Sequence, residues 1–77
     1  MALVRDRTPR DPVLRAFAPA GVQVARRAAD YAGEGTVTER LERARWFAGT
    51  WAQQEGQPHL GYQIAARISA ELDRLGV

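Results

Sequence analysis

The chain has 77 residues, which allows one domain, and 45% of them are hydrophobic, but 14 of those are Ala and only 21 are large apolar side chains. A domain of about 60 residues buries only about 60% of its unfolded surface, so a thin core predicts marginal stability unless a partner helps. The absence of Cys excludes a disulfide scaffold, a thiol nucleophile and thiolate-ligated zinc. The formal charge of +2 sits entirely in residues 1–18, where Arg5, Arg7, Arg10 and Arg15 face Asp6 and Asp11; beyond them seven Arg balance seven acids.

The opening Met1-Ala-Leu-Val-Arg-Asp has neither the long apolar core nor the small-residue cleavage site of a signal peptide. No run approaches the ~20 apolar residues of a membrane span, so a cytoplasmic chain without a membrane role is expected. Residues 5–12 mix charges with two Pro and have no apolar period, which reads as a flexible basic arm over residues 1–11. A single helical domain is expected over 12–77. Asp11-Pro12 suits a helix start, with Asp as cap and Pro at the first helical position. Val13, Leu14 and Phe17 follow at helical spacing before Pro19 and Gly21 interrupt, so one short helical turn is expected there.

The first main helix is predicted from about Pro19 to Ala32, stopping at Gly33. One face collects Gly21, Val22, Ala25, Ala28, Ala29 and Ala32, with Val24 and Tyr31 along an edge. Such a small-residue face lets another helix come close, and large side chains must then arrive from elsewhere to fill the core. The second helix opens at Thr36-Val-Thr-Glu39, a capping-box pattern, and is expected to run to about Glu55 before Gly56. Val37, Leu41, Ala44, Ala48 and Trp51 recur at spacings of 4, 3, 4 and 3, a narrow apolar seam bordered by Phe47. Trp46 falls roughly 140° from Leu41, among Glu39, Glu42, Arg43, Thr50 and Gln53.

The third helix is predicted from Gln57-Pro58 to Leu75, with an apolar stripe of Leu60, Ile64, Ile68, Leu72 and Leu75. Glu71 interrupts that stripe, either pairing with Arg67 or Arg74 one turn away or marking its end near Leu75. No apolar–polar alternation predicts a strand. The expected fold is all-α, a small three-helix bundle with a short extra N-terminal helical turn and a flexible basic arm. Leu41, Phe47, Trp51, Ile64, Ile68 and Leu72 are its expected core.

Catalysis fits poorly. His59 is the one imidazole, at a helix start, and neither Glu55 nor Tyr62 completes a nucleophile–base–orienter set with it. No His or carboxylate cluster has metal-ligand spacing, and Gly33-Glu-Gly35 is too short and acidic for a phosphate loop, so no cofactor is expected. A non-enzymatic interaction module is the expected class, binding another protein or a second copy of itself. Trp46, Arg43, Arg45 and Tyr62 are its candidate contacts, because Trp, Tyr and Arg dominate interface hot spots. The competing position for the indole is inside the monomer, beneath the arm or against Phe17.

The alternative is a DNA-binding regulator with a divergent helix-turn-helix built from the second and third helices around Gly56. It would use Arg5, Arg7 and Arg10 for phosphates and Gln57, His59 and Gln63 for bases. Against it, Arg67 is the lone early cation of the reading helix, too little for the phosphate contacts that dominate affinity.

Overall fold

The computed structural model describes residues 10–76. Helix α1 spans Pro12–Ala16, a 3-10 turn follows over Ala18–Ala20, and α2 runs Val22–Ala32, α3 Val37–Gln54 and α4 Pro58–Arg74. There is no strand among the described residues, so the fold is the expected all-α bundle.

Local chemistry explains most boundaries. Asp11 caps α1 by accepting the Val13 N–H, with Pro12 in the first turn. Thr36 and Glu39 form the capping box at the start of α3 in both directions. The α2 start differs from the sequence expectation. Pro19 lies in the 3-10 turn, and the chain enters α2 only after Gly21, whose φ of 98° and ψ of 162° break the run. A positive φ of that kind is cheap for Gly alone, so the expected helix loses its first turn.

α2 ends against two guanidinium groups. Arg40 Nε donates to the Gly33 carbonyl at 2.7 Å, Arg43 Nε donates to the Ala32 carbonyl at 2.6 Å, and a second Arg43 nitrogen donates to the Glu34 carbonyl. Cations here satisfy helix-end carbonyls and oppose the negative end of the helix dipole. Gly35 leaves room for that arrangement, since a Cβ there would sit 2.6 Å from the Glu39 carboxylate and 3.1 Å from the Arg43 guanidinium.

Alanine lines much of the core: Ala25, Ala28 and Ala32 from α2, and Ala44, Ala48 and Ala52 from α3. The large side chains come from Leu41 and Trp51, from Ile64, Ile68 and Leu72 of α4, and from Val13 and Phe17 at α1. Val13 and Phe17 are completely buried, although the sequence reading left them out of the core. Phe47, expected inside, is only half-buried, and Val37 and Leu75, at the ends of their stripes, are exposed. Helix ends lie beyond the neighbouring helices, so an apolar residue there keeps its phase but loses its cover.

Two ion pairs hold α1 in place. Asp11 accepts from both Arg40 amino groups, at 2.9 and 3.1 Å, which ties α1 to α3. The sequence places Asp11 at the end of the arm, yet this contact and its cap bind it to the bundle. Arg15 donates to both oxygens of Glu71, at 3.0 and 2.8 Å, which ties α1 to α4. The principal partner of Glu71 is thus Arg15, with Arg74 more distant at 3.7 Å, and Arg67 instead donates to the Arg15 carbonyl. The acid in the α4 stripe marks where α1 crosses it, rather than where the stripe ends.

Hydrogen bonds from Arg15 hold the Glu71 carboxyl below its ordinary 4.5 against the opposing effect of burial, helped by the charges of Arg15 and Arg74. For Asp11 burial pushes upward, but hydrogen bonds from Arg40 and the Val13 N–H, with the nearby Arg charges, outweigh it and leave the group below 3.8. Lowered carboxyl values mean stability that is complete above the ordinary carboxylate range and lost as pH falls through it to the folded values. Circular dichroism melts should therefore be level down to about pH 5 and fall steadily below it. Glu71→Gln should flatten that fall and cost roughly 1–2 kcal/mol at neutral pH, between the worth of an exposed and a buried pair. Phe17→Ala should cost more, about 3–5 kcal/mol, enough to unfold a domain this small.

Candidate functional site

α3 is the longest helix, and two grooves run along its sides. The first lies toward α2 and is lined by Tyr31, Glu39, Glu42, Arg43 and Trp46. Trp46 is 63% exposed, as its helical phase requires. It is not alone: its ring stacks on Tyr31 at 5.7 Å with planes 13° apart. The monomer thus gives the indole a partner, Tyr31 rather than Phe17, while residues 1–9 of the expected arm lie outside the described residues.

Tyr31 in turn lies 5.6 Å from Phe47, and Phe47 meets Phe17 edge-on at 5.8 Å. Four rings therefore form a continuous path from the buried core to the surface. Arg27 adds a cation 5.9 Å from the Phe47 ring, within the range of a cation–π contact. The path fixes the indole from one side and leaves its outer face to solvent. Tyr31 was placed by its sequence on the edge of an Ala face, and nothing in the local pattern linked it to Trp46, fifteen residues on.

The second groove lies between α3 and α4, with a volume of about 420 Å³. Its floor is Gly49, Ala52, Gly61 and Ala65, and its rim carries Arg45, Gln53, Pro58 and Tyr62. Tyr62 is 78% exposed and makes no ring contact among the described residues. The two glycines differ. A Cβ at Gly61 would come within 2.7 Å of the Ala52 Cβ, so Gly61 lets α4 approach α3 closely. A Cβ at Gly49 would meet nothing within 4 Å. An exposed helix-interior Gly costs about 0.5–1 kcal/mol relative to Ala, and no packing inside the monomer offsets it.

The four candidate contacts therefore divide. Trp46 and Arg43 line the α2-side groove, while Arg45 and Tyr62 line the α4-side groove. Arg43 is already committed to the end of α2 through Ala32 and Glu34, which makes it a positioning residue at least as much as a contact. Arg45 has no hydrogen-bond or ion-pair partner among the described residues. Gln57, His59 and Gln63 are all exposed around the start of α4. Arg10 is exposed and its carbonyl accepts from Arg15 at 3.2 Å; Arg5 and Arg7 lie outside the described residues.

No group of three or more potential metal ligands occurs among the described residues. No helix there is long and apolar enough to cross a membrane. Exposed Trp46 and buried Trp51 should give two-component acrylamide quenching of fluorescence, and Trp46→Phe should remove the accessible component while leaving the protected one. A single protected component in the parent protein would contradict this geometry. Comparison with family models, with curated proteins and with solved structures finds no match for this chain.

Proposed function

We propose that the chain is a small non-enzymatic interaction module whose binding surface is the outer face of α3 around Trp46. The observation that carries this reading is the indole itself, exposed at 63% although the four helices already enclose a core with no orphaned buried polar side chain among the described residues. Trp is among the residues most enriched at interface hot spots. Covering the exposed part of the ring would contribute roughly 3–4 kcal/mol before the entropy of association is subtracted. The rings beneath it hold the indole in one orientation, which lowers that entropic cost.

Charge supports the same role. Glu39, Glu42 and Arg43 surround the Trp46 groove, and Arg45 stands on the other shoulder of α3. Polar groups at the rim of an apolar anchor set register and exclude wrong partners more than they add affinity.

The deciding experiment is Trp46→Ala, read both for stability and for binding. The variant should melt within about 1 kcal/mol of the parent, because an exposed residue carries little of the fold. It should also lose capture of its binding partner from extract of the native host. Loss of the fold in Trp46→Ala would make the residue structural and end this reading. A low-salt shift of random duplex DNA that weakens steeply with salt and ignores Trp46 would favour the nucleic-acid alternative instead.

A further inference from the structure

The outward side of α3 carries a second seam. Glu39, Glu42, Trp46, Gly49 and Gln53 recur at spacings of 3, 4, 3 and 4, opposite the core seam, and all five are exposed. Spacing of this kind keeps one helix edge in contact with a partner helix over several turns. Its content is unusual: a tryptophan stands one turn from a residue with no side chain at all.

We propose that the protein pairs with a second copy of itself, α3 lying antiparallel on α3, so that each Trp46 packs beside the second copy's Gly49. A two-fold interface is self-complementary, and a residue at position i meets position j when j also meets i. In antiparallel seams, residues of the two helices share layers side by side, and here the shared layer holds one indole and one glycine. The space over Gly49, where a Cβ would touch nothing, takes the incoming ring. The groove beside Gly49 supplies Tyr62 as an aromatic wall and Arg45, which has no ion-pair partner among the described residues, as a cation for the ring face. Two such layers form, related by the symmetry axis.

Charge agrees with this register. The layers on either side place Glu42 against the second copy's Gln53, whose amide can donate to the carboxylate. They place Glu39 toward the second copy's Gly56 and the start of α4. That helix begins at Pro58 with no side-chain cap on its first N–H groups, and Pro58 lines the same groove. One Glu39 oxygen accepts from its own Thr36 N–H, which leaves the second for the uncapped start of α4 in the other copy, where an acidic group is favoured. A parallel pairing would stack Glu39 on Glu39 and Glu42 on Glu42. The antiparallel pairing avoids that repulsion.

Self-pairing presupposes the interaction role of this face and names its partner. The test is sedimentation equilibrium of the full chain from about 10 µM to about 1 mM, with Trp46→Ala and Gly49→Leu alongside. The parent should show a monomer–dimer equilibrium. Each variant should raise the dissociation constant at least about tenfold, Trp46→Ala by leaving the layers empty and Gly49→Leu by overfilling them. Gly49→Leu has open space in the monomer and replaces Gly with a strong helix former, so its thermal melt should not fall below the parent's. An equimolar mixture of the two variants should pair more tightly than either alone, because both layers again combine one large and one small residue. A parent that stays monomeric throughout, or a dimer indifferent to both substitutions, overturns self-pairing. If that monomer still captures a host protein through Trp46, the interaction reading stands and only the identity of the partner falls.

Discussion

The bundle closes because Phe17 fills a space that its alanines cannot. α2 and α3 present Ala25, Ala28, Ala32, Ala44, Ala48 and Ala52 to one another and to the rest of the core, and methyl groups alone leave voids between helices. A chain with only 21 large apolar residues cannot spare one for every layer. Val13 reaches that space from a five-residue helix too short to be stable by itself, and Phe17 from the cap at its end. The position of that helix therefore depends on tertiary contacts, and the Asp11–Arg40 and Arg15–Glu71 pairs supply them on two sides. The ion pairs are modest as isolated contributions. Their larger effect is to hold α1 in the one place where its apolar side chains complete the core.

Most helix boundaries are legible in the sequence because they carry their own chemistry, the start of α2 after Gly21 excepted. Thr36 with Glu39, Asp11 with Pro12 and the glycines at 33 and 56 act over a few residues, within the range that local patterns report. Helical phase carried equally well: the angle between Leu41 and Trp46 already turned the indole outward. What the sequence did not disclose are contacts between residues far apart along the chain. Arg15 and Glu71 are separated by 56 residues, and a stripe read on α4 alone makes the acid look misplaced. The Tyr31–Trp46 stack has the same origin, since it depends on how α2 and α3 are set against each other. Phe17 lies two residues before Pro19 in a segment whose pattern predicts only a brief helical turn, and only the path of α1 across the other helices makes it part of the core.

The path of rings from Phe17 through Phe47 and Tyr31 to Trp46 joins the fold to the surface. A solvent-facing Trp on a small helical domain would ordinarily sample several rotamers, and ordering it on binding would cost free energy. Here its plane is set by Tyr31, whose ring lies near Phe47, whose edge contact is with the buried Phe17. The orientation of the surface indole is thereby tied to the packing of the core. Arg43 serves the same end by another route, since it closes the end of the helix that carries Tyr31 and also lines the groove beside the indole.

The glycine at position 49 tests whether the outer face of α3 is merely solvated. A solvated helix face places no demand for a missing side chain, and long polar residues there would raise helix propensity. Gly61 has a reason visible inside the monomer, the close passage of Ala52; Gly49, three residues before that alanine, has none. Trp46 poses the same problem with opposite sign, since it exposes apolar surface where a polar residue would be neutral. Each departs from what an isolated helix would favour, and they depart in complementary directions one turn apart. A single helix approaching that face removes both anomalies together, because the excess volume of one residue occupies the deficit of the other.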